Sequence, residues 1–123
     1  MVGVMKKRYS KEDRVIAFTM YRNKSLEIGF FDIKRIAEIT GHSTDSYKMK
    51  IDQFKGINGP RKRIYKDGDI GPGLNEWAKE DEDVVNEFKN TDIKLLNILA
   101  KNILDNKFRT WRNMKWEKYY KEV

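Results

Sequence analysis

The stretch Arg35–Ile57, "RIAEITGHSTDSYKMKIDQFKGI", decides the fold. It reads as a short amphipathic helix, a glycine break, a capped turn and a second amphipathic helix. Phe31 and Asp32 stand ahead of it as a hydrophobic staple and an N-cap. Ile33, Ile36, Ala37 and Thr40 then share one side at helical spacing. Gly41 ends this helix, because glycine alone enters a left-handed C-terminal turn without steric cost. The next helix begins after Ser43 or Thr44. With Tyr47 as origin on a wheel of about 100° per residue, Ile51 falls near 40° and Phe54 near −20°. That narrow apolar stripe faces the other helices. Asp45, Lys48, Met49, Asp52 and Gln53 take the opposite side, and Gly56 with Asn58–Pro60 stops the helix. Ala37 and Gly41, four residues apart, let the two helices approach closely. This is the build of a helix-turn-helix.

Upstream, Lys6, Lys7 and Arg8 mark residues 1–9 as a flexible basic lead. Ser10 and Asp13 form an approximate capping box, opening a helix that carries Val15, Ala17, Phe18 and Tyr21 or Arg22 and ends near Arg22–Lys24. Downstream comes a basic loop, "RKRIYK" at Arg61–Lys66, then "DGDIGPG", dense in turn residues. "LNEWAKEDEDVVNEFKN" reads as one or two acidic helices with Leu74, Trp77, Val84, Val85 and Phe88 as core candidates. Thr91–Val123 reads as a long helix, with a candidate break near Asp105-Asn106 and a first stripe of Ile93, Leu96, Leu99 or Ala100, and Ile103. No run alternates as a strand would. The expectation is an all-α fold: a compact helix-turn-helix-like domain over residues 10–104, and a basic, aromatic helical extension over 105–123.

The chain has 123 residues, enough for one domain with one core, and it is 39% hydrophobic and 37% charged, which fits a soluble globular protein with much solvated surface. It has no cysteine, which excludes disulfides and thiolate metal sites and fits a reducing cytosol. No apolar run approaches the roughly 20 residues of a membrane span, and the N-terminus lacks a signal-peptide core. A cytoplasmic location is therefore expected, on the nucleoid if the partner is DNA.

The net charge of +7 is unevenly spread. Residues 1–66 hold 16 basic and 7 acidic side chains, a net of +9; residues 67–98 hold 3 and 9, a net of −6; residues 99–123 hold 7 and 3, a net of +4. A basic half carrying a helix-turn-helix pattern suits a polyphosphate partner. A major groove about 12 Å wide admits one helix while its neighbours grip phosphates. On the outward face of the second helix, Gln53 suits a bidentate contact to adenine, Lys48 a guanine or a phosphate, and Met49 a thymine methyl. Ser43, Thr44 and Ser46 lie at the helix start, where hydroxyls and free N–H groups meet phosphate. His42, the single histidine, is either a turn residue or a further contact. Arg61, Lys62, Arg63 and Lys66 suit the backbone or minor groove, with Tyr65 able to stack, unless the loop is merely solvated. Asp45 and Asp52 oppose phosphates unless they meet a cytosine amino group or are screened by Lys48.

The stretch from Tyr9 through Gly59 resembles the helix-turn-helix-like N-terminal domain that precedes the nuclease in some bacterial HNH, McrA-like endonucleases. Thr40, Gly41 and Ser43 match that domain's Thr-Gly-Arg-Ser helix end, with His42 where arginine is usual. Tyr47, Met49, Ile51 and Phe54 take its third-helix positions, with Gln53 for an asparagine. Gly73, Leu74 and Phe88 resemble its tail. The resemblance spans roughly residues 8–97 and implies DNA binding without cleavage, since an HNH centre needs several histidines around a metal and this chain has one.

The tail, "FRTWRNMKWEKYY" from Phe108 to Tyr120, is open to three readings: completion of the core, a homodimer contact through Trp111, Trp116 and Tyr120, or a nucleic-acid stacking surface. No cofactor and no enzymatic activity are expected, because no glycine-rich phosphate loop, metal cluster or nucleophile motif is present. The leading expectation is a small double-stranded-DNA-binding protein, a regulator or a phage or mobile-element accessory factor. The alternative is a protein-binding module or inhibitor using the acidic helix and aromatic tail.

Overall fold

The computed structural model describes residues 8–58 and 77–122, with side chains described to residue 57 in the first stretch and to residue 112 in the second. The described chain is all-α apart from one small hairpin. In order it runs α1 (Lys11–Asn23), β1 (Glu27–Ile28), β2 (Phe31–Asp32), α2 (Ile33–Thr40), α3 (Thr44–Asn58), α4 (Lys79–Phe88) and α5 (Ile93–Glu122).

The caps sit where the side chains can make them. The Ser10 hydroxyl accepts from the Asp13 N–H at 3.0 Å and opens α1. The Asp32 carboxylate accepts from the Arg35 N–H at 2.8 Å and opens α2. Gly41 closes α2 at φ 81°, its N–H donating to the Ala37 carbonyl. Such caps contribute about 1 kcal/mol each. Asp81 closes half a capping box on α4, accepting from the Ala78 N–H at 3.1 Å.

α1 is the central helix. Val15, Ile16, Ala17, Phe18, Thr19 and Met20 are all buried in succession. A helix apolar on one stripe packs on one side, whereas one apolar all round must be enclosed. α3, α4 and α5 do enclose it. α2 packs against α3 and α5, and α4 against α1 and α3. Ile36 and Ala37 of α2, Tyr47 and Phe54 of α3, Val84 and Val85 of α4, and Leu96, Ala100 and Leu104 of α5 complete the core. Each large apolar side chain among them contributes roughly 1.5–3 kcal/mol on burial.

Five expectations change. Ser25–Asp32 holds an antiparallel hairpin, Glu27 opposite Asp32 and Ile28 opposite Phe31, too short to show a strand's alternation. The core stripe of α5 is Leu96–Ala100–Leu104, so Ile93 and Leu99 face outward, each 37% exposed. α5 is not broken at Asp105-Asn106 but runs through 30 residues. Nor does the packed domain stop at 104: Lys107 pairs with Asp13 at 3.4 Å, and Phe108 meets Phe31 edge-on at 6.1 Å. Finally, the lead is anchored at its last residue, because Tyr9 packs on the turn between α2 and α3.

Candidate nucleic-acid interface

The α2–α3 pair is held from inside by hydroxyls. Tyr47 Oη donates to Thr40 Oγ1 at 2.8 Å, and Thr40 donates to the Ile36 carbonyl at 2.8 Å. All three residues are fully enclosed. Ser43 caps α3, its Oγ accepting from the Ser46 N–H at 3.0 Å.

Two buried carboxylates fix this unit to the rest. Asp81 of α4 is 0% exposed and accepts from Arg14 Nε of α1 at 2.7 Å and from Lys50 Nζ of α3 at 3.0 Å. Asp13 of α1 is 1% exposed, and its Oδ2 meets His42 Nε2 at 2.8 Å. Its Oδ1 sits 3.4 Å from Lys107 Nζ, close enough for ion pairing but out of line for a hydrogen bond. Three helices therefore converge on Asp81, while Asp13 joins α1, the turn and α5. Tyr9 covers the turn: its ring stacks on His42 at 3.9 Å, lies 4.8 Å from Lys50 Nζ, and its hydroxyl bonds Ser46 Oγ at 2.7 Å. Burial pushes the Tyr9 hydroxyl pKa up to about 12 and raises that of Tyr47 further.

These contacts divide the expected site. The His42 side chain is 3% exposed between Asp13 and Tyr9, so the turn reading is the one its geometry supports; its ring is not on the surface that a duplex would meet. Ser46 is half-buried with its hydroxyl bound to Tyr9. Both are withdrawn because an aromatic residue from the lead packs over them. Ser43 is exposed and Thr44 half-buried at the start of α3. Lys48 is exposed and Met49 is 56% exposed, both on the side away from Tyr47 and Phe54, whereas Gln53 is half-buried with its Oε1 enclosed and does not present the acceptor that the expected bidentate contact to adenine needs. Arg61, Lys62, Arg63 and Lys66 lie outside the described residues, as do Leu74 and the "DGDIGPG" turn.

On the outer surface of α3, Lys48 and Lys55 make one row seven residues apart, Asp45 and Asp52 make the next at the same spacing, and Met49 lies beyond them, four residues before Gln53. All four charged residues are exposed. Among the described residues Lys48 forms no ion pair with either aspartate, so the expected screening is not made. Lys55 is the member that the sequence reading passed over, although its position seven residues after Lys48 puts it on the same side. Lys50 was passed over too: it lies next to Tyr47 and Phe54 on the wheel, and its ammonium is spent on Asp81.

Comparison with protein-family models, with curated proteins and with solved structures finds no match to this chain. Among the described residues, no group of histidine, cysteine and carboxylate side chains is placed to hold a metal ion, and no helix is long and apolar enough to cross a membrane.

Proposed function

We propose that the chain is a small DNA-binding protein that lays α3 in the major groove of a duplex. The observation that supports this reading best is the α2–Gly41–α3 unit, clamped from within by Thr40 and Tyr47 and from behind by Asp81. A rigid unit of this kind presents an uncovered α3 surface at fixed angle, as groove readout requires. Lys48 and Lys55 serve as phosphate or guanine contacts and Met49 as a contact for a thymine methyl. The acidic row restricts the choice: Asp45 and Asp52 favour a cytosine amino group and penalise close phosphates. Arg61, Lys62, Arg63 and Lys66, which follow α3 in the sequence, supply charge for the DNA backbone. The likeness to the reading head of HNH, McrA-like endonucleases supports the same assignment, with a regulatory or phage accessory role and a place on the nucleoid. A second reading, a protein-binding module, draws support from the exposed Glu80, Glu82, Asp83 and Glu87 of α4.

Selection of bound duplexes from a random pool, followed by binding isotherms over a salt series, tests the proposal. Affinity should fall steeply with salt as phosphate contacts release counterions. Lys48→Glu and Lys55→Glu together should weaken binding at least about tenfold with unchanged helicity. Equal binding by that variant, or no duplex binding at low salt, overturns the proposal.

A further inference from the structure

Helix α5 has an outer seam that its own domain leaves bare. Leu95, Leu99, Asn102, Asn106 and Arg109 follow one another at steps of four and three residues, and every one is exposed. Leu95 is 58% exposed, and Ile98 beside it 57%. The opposite side, Leu96–Ala100–Leu104, is fully buried in the core. Steps of four and three are the spacing of a seam between two helices wound together. The helix is 30 residues long, and the same steps continue through positions 113, 116 and 120, which are Asn, Trp and Tyr. The seam is therefore apolar at both ends and polar in the middle.

We propose that this seam is an interface between two copies of the chain, with their α5 helices antiparallel. An apolar–polar–apolar order repeats itself when one copy is reversed. Position 95 then lies opposite 120, 99 opposite 116, 102 opposite 113 and 106 opposite 109. Large apolar residues meet at both ends, and amide or guanidinium groups meet in the middle. The flanking row carries the charge complement: in this register position 105, an aspartate, lies beside position 112 of the second copy, an arginine, and the pair occurs twice by symmetry. Arg112 is exposed and Asp105 half-buried. A parallel pairing would instead set Arg109 beside its own copy in the seam and leave Asp105 facing Thr110, without a cation. Trp111, expected in such a contact, belongs to the other side of α5, where its ring stacks on Phe108 at 5.8 Å. The seam shares no residue with α3, so this interface stands or falls separately from DNA binding.

Light scattering on the eluted full-length protein, without DNA, should give twice the chain's 14.7 kDa. Leu95→Asp with Leu99→Asp should raise the dimer dissociation constant at least about 100-fold while helicity is kept, because both side chains are exposed in the single copy. Asp105→Arg should raise it about tenfold, and adding Arg112→Asp should restore it. Orientation is read by thiols, since the natural chain has none. Asn102→Cys mixed with Asn113→Cys should form a mixed disulfide on mild oxidation, and neither should do so alone. In the antiparallel register two copies of position 102 are about 16 Å apart along the axis, beyond the roughly 7 Å that a disulfide spans. A monomer at about 100 μM overturns the interface, and self-crosslinking of Asn102→Cys overturns its orientation.

Discussion

Replacing Asp81 by alanine leaves two cations facing a void. Arg14 and Lys50 have side chains only 12% and 11% exposed, and both direct their charge at the Asp81 carboxylate. Removing one partner of a buried ionic cluster costs about 3–5 kcal/mol, because the remaining charges stay desolvated and uncompensated. The Ala78 N–H at the start of α4 loses its acceptor as well, at a cost of about 1 kcal/mol. A domain of this size is stable by roughly 5–15 kcal/mol, so the loss is a large share. At about 3–6 °C per kcal/mol, the melting temperature should drop by more than 10 °C. Urea unfolding followed by far-UV circular dichroism measures the loss in free energy, and a thermal melt measures the shift. Asp83→Ala, an exposed acid on the same helix, is the control and should stay within about 0.5 kcal/mol of the natural chain. Lys50→Met should cost less than Asp81→Ala, since Arg14 still balances the carboxylate. If Asp81→Ala lies within 1 kcal/mol of the natural chain, roughly the control's scatter, the clamp on α1, α3 and α4 is not what holds α3 in place.

Two further outcomes follow from the turn and its lid. Gly41→Ala forces an L-residue to φ 81° and should destabilise by about 1–2 kcal/mol, whereas Gly41→Asn should cost less, because asparagine tolerates the left-handed region; thermal melts of the pair measure this. Tyr9 and Tyr47 ordinarily ionise at 10.0, and burial holds Tyr9 up to about 12 and Tyr47 higher. Above pH 10 the unfolded chain therefore binds fewer protons at these sites than the folded one. Their contribution is intact below pH 10 and is lost as pH rises through that window toward 12. Chemical denaturation across the alkaline range should show a drop that Tyr47→Phe makes smaller, and an unchanged pH slope in that variant contradicts the assignment.

Much of the α2–turn–α3 unit could be read from the chain because its signals are local. Ser10, Asp32 and Gly41 act on residues within one turn of themselves, and the spacing of Tyr47, Ile51 and Phe54 defines an inward side without knowledge of what lies there. The acids that hold the fold together were not legible. Asp81 stands in a run of charged residues that reads as a solvated face, and its partners Arg14 and Lys50 are 67 and 31 residues away. His42 likewise shows nothing of Asp13 or Tyr9 in its neighbours. In α5 the alternatives Leu99 and Ala100 lie about 100° apart, and packing against α1 chose the smaller residue. Asp105-Asn106 reads as a break only if both polar groups must leave a core; Asn106 lies on the bare seam, and the helix continues.

The central claim is that α3 meets a duplex with the side bearing Lys48, Met49 and Lys55. Amide chemical-shift mapping of labelled protein, titrated with a duplex recovered from the random pool, locates that contact residue by residue. The account requires the largest shifts along α3 from Ser43 to Lys55, with α4 unmoved. Shifts gathered on Glu80–Glu87, or a spectrum that the duplex leaves unchanged, would contradict it.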